Sequence, residues 1–459
     1  MSSHDSLLRA AGVVSALVTL LGSPRAVAQT EAPVAARPPG AALAQSLDSL
    51  VATALAVNPK IRAAAARVQA ARARVGPAGA RPDPMLMAGV QNFPVSEPGF
   101  SDFMTMKMVG ISQTLPYPGK LGLRERAARD EVRAAEAQLD DAKLTVVRDV
   151  KDAYYDLALT DQAMEIVRRN QDVLANLVTV TGAQYTAGTG AQSDVLRVRL
   201  ESARLSEEGN RLAEARRAAL ARLNAALARP SSAPLAPAAY PERVLRAAVP
   251  DSAAQIHFTS AALGAGAADS PLLPLDSLQA LAIQHSPMLR SHEAELRAQA
   301  ARVELARKAS LPDFDVSLQY GQRQGLSDMV SAVVSIPLPI QKGRKQDEEA
   351  AAARAELAAR EAEHYDAVNA LRADVAQHVS DIERARTQLA LSVKAILPQA
   401  RASLASATAG YQVGRIPFAT VMDAQASVFN FETAYYQALT DFAKALADLE
   451  QTVGAEVLR

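Results

Sequence analysis

The stretch Leu47-Asp48-Ser49-Leu50 returns 228 positions later as Leu275-Asp276-Ser277-Leu278. Farther along the chain, Tyr185-Thr186-Ala187-Gly188 returns as Tyr411-Gln412-Val413-Gly414, now 226 positions apart. The chain is therefore an internal duplication whose two copies differ by small insertions. Each copy has the same order of parts: two short helices, two strand-like segments, a very long helix, a tight turn and a return helix. The two copies are thus predicted to be halves of one body.

The composition of the chain changes between the two copies. We place the first copy at residues 46–229 and the second at residues 275–455. The segment 230–274 is rich in Pro and Ala without a periodic pattern, which predicts an irregular linker. In the first copy we predict strands at about 85–93 and 103–114 and a helix hairpin at about 119–228. In the second copy we predict strands at about 313–322 and 327–337 and a helix hairpin at about 342–453.

The start of the chain carries features of an exported protein. Arg9 precedes an apolar run, and Ala26-Val27-Ala28 supplies the small residues that a signal peptidase requires. We predict a signal peptide at residues 1–28 and a disordered segment at 29–45; a buried N-terminal helix is the alternative. Beyond this segment no apolar run reaches the length of about 18 residues that a membrane-spanning helix needs. The sequence therefore predicts a periplasmic protein, a secreted protein or a β-barrel.

Composition and motifs exclude several classes of function. Lys plus Arg balance Asp plus Glu at 49 each, so no charge excess favours nucleic acid as a partner. The chain has no Cys, which excludes disulfides, thiolate metal sites and nucleophilic thiols. No catalytic triad, P-loop or dinucleotide motif is present. We therefore expect a protein that is not an enzyme and has no cofactor.

Each copy contains a very long helix. Residues 123–181 and 344–397 contain no Gly or Pro and are rich in Ala, Leu, Glu, Arg and Gln. The first alone would run about 90 Å, so most of it must pack sideways against other long helices. Pro398 is expected to end or kink the second long helix.

The return helices show the seam along which the long helices pack. Alternate steps of three and four residues give the 3.5-residue period of coiled coils. The first seam contains imperfect core residues, at Ser202, Gly209 and Arg216. The two predicted seams are Val195, Val198, Ser202, Leu205, Gly209, Leu212, Arg216, Ala219 and Leu223, then Val421, Ala424, Val428, Phe431, Tyr435, Ala438, Phe442, Ala445 and Leu449. Two such seams in register across a duplication indicate a closed set of helices.

The strand-like segments have the length and alternation of strands that cross a bilayer. Around Phe314 to Tyr320, apolar residues alternate with polar ones over the length of about 9–11 residues that a tilted spanning strand needs. Four strands cannot close around a lumen, and unpaired edges in hydrocarbon cost several kcal/mol per group. Other copies of the chain must therefore complete the sheet. A soluble four-stranded sheet covered on one face is the alternative.

These features together resemble the TolC family of bacterial outer-membrane efflux proteins, over essentially all of Ser46 to Val453. The motifs that carry the resemblance are Ile111 to Lys120 at the start of the long helix, and the two turns Tyr185 to Leu196 and Tyr411 to Asp423. The resemblance implies a mainly α fold and a homotrimer. Its twelve strands form one barrel in outer-membrane lipid, and its long helices form a periplasmic tunnel. The Leu-Pro-x-Pro-Gly-Lys entry resembles members that serve heavy-metal pumps.

The resemblance also assigns roles to the hairpin turns at the far end of the tunnel. It implies that these turns contact a periplasmic adaptor protein through Gly188, Thr189, Gly190, Gly414, Arg415, Ile416 and Pro417. A helix C-cap alone would also explain the glycines. For the periplasmic gate it implies Asp423, Tyr411, Arg415 and Asp194, although Thr420 replaces one acidic position and Arg415 is displaced by one residue. Three Asp423 carboxylates around an axis would attract cations, whereas a solvated surface Asp is the alternative.

We expect no metal site. The histidines are scattered, and Asp347-Glu348-Glu349 is read as a solvated helix start. Met85, Met87, Met104, Met106 and Met108 could line a path for a soft metal, since thioethers suit Cu(I). Their alternation predicts that most of them point toward lipid, which disfavours that role.

The resemblance implies an outer-membrane duct that passively conducts solutes delivered by a periplasmic adaptor and an inner-membrane pump of the RND or ABC type. A periplasmic coiled-coil scaffold without a pore is an alternative from a different class, and a duct for type I protein secretion is another. The sequence does not choose the cargo.

Overall fold

The structure, a computed structural model, describes residues 46–94, 100, 102, 104–249 and 272–458. The predicted signal peptide and the segment 29–45 lie outside the described residues, as does Phe103 at the start of a predicted strand. Among the described residues, no helix is both long enough and apolar enough to cross a membrane. The elements are α1 Leu47–Val57, α2 Pro59–Gly79, β1 Met85–Gln91, β2 Met106–Leu115, α3 Lys120–Thr186, α4 Gln192–Ala226, α5 Glu242–Ala248, α6 Leu275–His285, α7 Pro287–Arg307, β3 Phe314–Arg323, β4 Met329–Ser335, α8 Gln346–Leu391, α9 Leu397–Gln412 and α10 Phe418–Val453.

The two copies use the same local signals to start their helices. In the first copy the Asn58 side chain accepts a hydrogen bond from the backbone N–H of Lys60 at 2.8 Å, and Pro59 occupies the first turn of α2. In the second copy Ser286 and Pro287 begin α7 in the same way. A capping side chain followed by proline separates each short helix from the next one.

The predicted mainly α fold with four strands is confirmed, with one correction. The linker 230–274 is not wholly irregular, because residues 242–248 form α5, whose Val244, Ala247 and Ala248 are buried in the core. The second long helix is interrupted just before Pro398 and then resumes, in agreement with the prediction of an end or kink there. The α8 helix passes through a π-helical turn at Ser392–Ile396 into α9, which has Pro398 in its first turn.

The helical core lies around the middle of α3, where both copies meet. Tyr155, Leu157, Leu223, Ile382 and Phe442 are among its fully buried side chains. Along the predicted seams, most apolar positions are buried. Phe431 is the exception, since its side chain is 40 % exposed, so its assignment to a buried seam within one protomer was wrong.

The four strands form one antiparallel sheet in the order β1-β2-β3-β4. The central pair, β2 and β3, joins the two copies with the register from Met106 opposite Arg323 to Leu115 opposite Phe314. The β1 and β4 strands are the two edges. The sheet thus remains open on both sides of the protomer.

The two faces of this sheet differ in chemistry. The register puts Leu86, Ile111, Leu318 and Ala332 in one row across the sheet, so this face is apolar. The neighbouring row contains Met87, Gly110, Gln319 and Ser331, and polar side chains prevail on that face. Met85, Met87, Met106, Met108 and Met329 all lie on the polar face. The prediction that most of the methionines point with the apolar side chains was therefore wrong.

A half-buried carboxyl group between α3 and α10 makes the fold sensitive to pH. Burial, and next the charge of Asp448, raise the pKa of Asp152 to about 6, although Arg148 and Lys444 oppose this shift. Its Oδ1 atom is buried and, among the described residues, has no hydrogen-bond partner. Ionisation of Asp152 is therefore less favourable in the folded chain than in the unfolded chain.

We predict that Asp152→Asn raises the melting temperature at pH 7.5. Since the pKa is higher in the folded than in the unfolded chain, wild-type stability falls as the pH rises from about 4 through about 6. The gain should be on the order of 1 kcal/mol after allowance for solvent screening, and it should vanish at pH 4. Thermal unfolding followed by circular dichroism in detergent checks this, with the exposed Asp172→Asn as control. An unchanged or lower melting temperature at pH 7.5 would contradict it.

Candidate functional site

The two helix hairpins end in turns of the same construction. At the first, Gly188 has φ +75°, its N–H donates to the carbonyl of Tyr185 at 3.0 Å, and the N–H of Thr189 donates to the carbonyl of Gln184 at 2.9 Å. At the second, Gly414 has φ +71°, and the N–H of Arg415 donates to the carbonyl of Gly410 at 2.9 Å. Both are Schellman motifs, which need a residue that tolerates positive φ.

The two turns differ in the side chains that close them. In the second turn a Cβ atom on Gly410 would lie 3.1 Å from the Ile416 side chain, which covers this glycine. In the first turn the small and the large residue change places. Gly190 lies against Gln184, and a Cβ atom added to Gly190 would lie 2.9 Å from the Cβ atom of Gln184. Hence a glycine lies against the Cβ and backbone of Gln184 in the first turn and against the apolar side chain of Ile416 in the second.

The predicted gate residues Tyr411 and Asp194 are brought together. The Tyr411 ring is buried against Phe418, with ring centroids 5.1 Å apart. Burial, and next the negative charge of Asp194, raise the pKa of the Tyr411 phenol. The hydroxyl makes no hydrogen bond of acceptable distance and angle among the described residues, so its contact with Asp194 is loose. The pair links the end of α9 to the first turn of α4.

Asp423 lies apart from this pair, on the exposed side of α10. It lines an open groove together with Arg197, Glu201 and Arg204 of α4. Arg197 occupies the position in the first copy that Asp423 occupies in the second, 226 residues later. Arg197 was not among the predicted gate residues, although this offset in the sequence could have revealed it. An Asp423 ring would therefore have arginines at the equivalent positions between its carboxylates.

The remaining predicted contact residues surround a second groove at the hairpin tips. This groove, of about 790 Å³, is lined by Thr189, Gly190, Gly414, Ile416 and Pro417 among others. Arg415 is fully exposed at the tip and forms no ion pair within the described parts of the chain. The structure thus brings the turns of the two copies to one end of the helices.

At the opposite end of the helices, an ion pair joins the strands to α3. Lys120, whose side chain is buried, donates to the Leu311 carbonyl at 2.7 Å and to Asp313 Oδ1 at 2.8 Å. Asp313 also accepts a hydrogen bond from the backbone N–H of Tyr117 at 2.8 Å. The Pro-x-Pro-Gly-Lys entry of the first copy is therefore anchored to the second copy.

The described residues contain no cluster of the oxygen, nitrogen or thiolate side chains that usually bind metal ions. No group of three or more His, Asp or Glu side chains there could hold a metal ion. The rings of His292 and His364 lie 6.3 Å apart, as a pair without a third ligand among those residues.

Comparison with known proteins gives a consistent result. The Cobalt-zinc-cadmium resistance protein CzcC of Cupriavidus metallidurans is 24 % identical over 185 residues, which are 40 % of this chain and 44 % of that protein. The chain thus aligns with less than half of this relative. The outer-membrane channel OprN has a TM-score of 0.73 at 20 % identity, covering 89 % of this chain and 90 % of that one. CusC has a TM-score of 0.74 at 17 % identity, covering 90 % and 93 %.

The outer membrane protein VceC of Vibrio cholerae has a TM-score of 0.71 at 19 % identity, covering 89 % of this chain and 96 % of that one. These likenesses show a shared fold. A family described as Outer membrane efflux protein matches residues 50–229 and 278–455, which include most of both copies. The resemblance predicted from the motifs is confirmed, and the chain belongs to the outer membrane efflux protein family.

Proposed function

We propose that three copies of this chain close into a duct through the outer membrane, with a long periplasmic tunnel of helices. The observation that carries this proposal is a repeated surface. The faces that the two copies bury against each other inside one protomer recur, exposed, at the protomer's two edges. A ring of identical chains would bury them all. This duct requires no catalytic centre of its own.

The strands support such a ring through their register. Pro82-Asp83 in the first copy corresponds to Pro312-Asp313, and Pro116 and Pro118 correspond to Pro337 and Pro339. Inside the protomer, Ile111 of β2 pairs with Leu318 of β3. By these correspondences Ile111 matches Ala332 of β4 and Leu318 matches Ala88 of β1. Ala332 would therefore pair with Ala88 of the next copy. The same shift sets all of Met85–Gln91 opposite all of Met329–Ser335. The two edges therefore match over their full length.

The helices beside the strands repeat the same relation. Between α3 and α7, the Gln138 side chain donates a hydrogen bond to Ser291 at 3.2 Å. Residues that follow Ser291 along α7 at alternating steps of three and four are also buried. The residues at the corresponding positions of the first copy, on α2, are exposed. The buried set is Ser291, Ala294, Ala298 and Ala301, and the exposed set, 228 positions earlier, is Ala63, Ala66, Ala70 and Ala73. The buried α3 residues Ala127, Asp130, Ala134 and Ala137 likewise correspond to exposed Ala352, Ala355, Ala359 and Ala362 of α8.

Charges on these faces are complementary as well. The α2 helix contains basic residues and no acidic ones, whereas Glu349, Glu356 and Glu363 follow α8 at intervals of seven. Inside the protomer Arg302 pairs with Glu131, and the corresponding residues at the edges are Arg74 and Glu356. The junction pair Lys120 and Asp313 likewise corresponds to Lys345 and Asp83. Opposite charges would thus meet between neighbouring copies.

The proposals for the number of protomers in the ring, the partners and the cargo rest on the family and on single relatives rather than on contacts within one protomer. Three protomers give twelve strands, and the hairpin tips would meet a periplasmic adaptor protein fed by an inner-membrane pump of the RND or ABC type. The likeness to CzcC supports heavy-metal ions as cargo. Tyr411 and Asp194, with Asp423 and Arg415, are proposed to narrow the tunnel near these tips.

We predict that Ala88→Cys combined with Ala332→Cys forms disulfides between copies. Directly paired residues on antiparallel strands have Cα atoms about 4.5–5.5 Å apart, within the reach of a disulfide. Since the chain has no native Cys, only the introduced thiols can react. Mild oxidation of outer-membrane fractions should give covalent dimers and trimers on non-reducing gels.

Two further variants serve as controls. Ile111→Cys with Leu318→Cys should link within one protomer and leave the mass unchanged, because these residues pair inside the sheet. Ala88→Cys with Val334→Cys is two residues out of register and should link poorly. If the internal pair links while the Ala88 and Ala332 pair gives only monomers, the proposed closure is wrong. Recovery of the protein in the soluble periplasmic fraction would favour the scaffold without a pore.

We also predict opposite effects of the two charges at the α10 groove on ion selectivity. Asp423→Asn should lower the permeability of cations relative to anions, and Arg197→Gln should raise it, because the two side chains carry opposite charge at equivalent positions. Reversal potentials in planar bilayers under a salt gradient measure this. Asp441→Asn, farther along α10, is the control. Equal reversal potentials in all variants would remove both residues from the constriction.

A further inference from the structure

We propose that the inner face of the β-sheet carries a methionine site for soft monovalent cations such as Cu(I) and Ag(I), formed by Met87, Met106, Met108 and Met329. This proposal rests on the proposed function, since the polar face of the sheet lines a lumen only in the closed ring. The site belongs to the strands and is separate from the gate residues at the hairpin tips.

The strand register shows that these residues share one face. Met108 lies opposite Gly89 on one side and opposite Gly321 on the other, and Gly321 in turn lies opposite Met329. Met87 lies opposite Gly110, which makes it a diagonal neighbour of Met108. Met106 is two residues from Met108 on the same strand. The thioethers therefore project toward the same side from β1, β2 and β4, with Gly321 of β3 between Met108 and Met329.

Glycines leave room between these side chains. A Cβ atom on Gly321 would lie 3.4 Å from Met106 Sδ and 3.9 Å from Met108 Cγ, so both methionines lean over this glycine. In the register Gly89 lies opposite Met108, with open space above it, whereas Gly110 opposite Met87 is covered by the Gln319 side chain. Without a side chain at Gly321, the flexible thioethers of Met106, Met108 and Met329 can approach one another above the sheet.

The placement of the methionines does not follow from packing. All five methionines of the strands lie on the polar face, among Ser112, Gln319 and Ser331, whereas the apolar face consists of residues such as Leu86, Ile111 and Val334. A face toward lipid is where an apolar methionine would lower the free energy. On a polar face, a thioether supplies what serine and glutamine cannot, namely a soft ligand.

The chemistry of the site suits conduction rather than storage. Neutral thioethers are weaker ligands than thiolates, and the chain has no Cys that could trap a soft ion. An ion that crosses a pore must be bound weakly at several sites in succession. The same face of β3 carries Arg323, directly opposite Met106, and Asp315, farther along the strand, so the thioethers rather than a net negative charge would bind the cation.

The test uses the full-length trimer in planar bilayers with nitrate electrolytes and silver nitrate as the probe. Silver should reduce the single-channel conductance, whereas magnesium nitrate at the same concentration should not. In the quadruple variant M87L/M106L/M108L/M329L, which keeps the apolar volume and removes sulfur, half-maximal block should need at least about tenfold more silver. Met288→Leu, on α7 outside the sheet, should behave like the wild type.

A second measurement does not depend on a pore. In detergent, the 13C-methyl resonances of the four methionines should shift on addition of silver, while that of Met288 should not. Conductance insensitive to silver, an equal block in the quadruple variant, or unshifted resonances would each overturn the site. If the methyl resonances shift but no conductance is found in any variant, the methionine site stands as a binding site and the proposed duct fails.

Discussion

The exposed strand edges are the constraint on which the rest of this structure depends. The backbone N–H and C=O groups of β1 and β4 that face away from the sheet have no strand partner among the described residues of the protomer. In water they could be hydrated, but in hydrocarbon each would cost several kcal/mol. An edge that matches another edge of the same chain in length and register removes this cost without any new element. The long helices below can then pack in the arrangement that the strands impose.

In the proposed ring, the internal duplication would supply the interface between copies. The second half of the chain corresponds to the first. The contacts of α3 with α7 and of β2 with β3 inside one protomer are therefore equivalent to the contacts that two protomers would make. The small residues at this contact let the helices approach closely, and pairs such as Arg302 with Glu131 fix their relative position. Selection on one surface thus shapes an equivalent surface elsewhere on the chain.

Sequence patterns predicted most of the fold, because duplication, helix length and strand alternation are local signals. The prediction for the methionines of β2 was wrong because it used only the first half of the strand. Farther along β2, Ser112 and Thr114 have the same parity as Met106 and Met108, whereas the apolar Ile111 has the opposite one. The burial of Tyr411 beside Asp194 could not be predicted from spacing, because it depends on how the two hairpins pack. Similarly, α5 is stabilised by a core that the linker's composition does not describe.

The reversed pairing of large and small residues in the two hairpin turns bears on stoichiometry. A closed ring of three chains would present six tips in alternation, three in which Gly190 lies under Gln184 and three in which Ile416 covers Gly410. A soluble subunit that recognises one tip in detail would occupy only every second position. Six identical subunits could surround the ring only by using two different contact modes, or by contacting the backbone of the turns, which is the same in both.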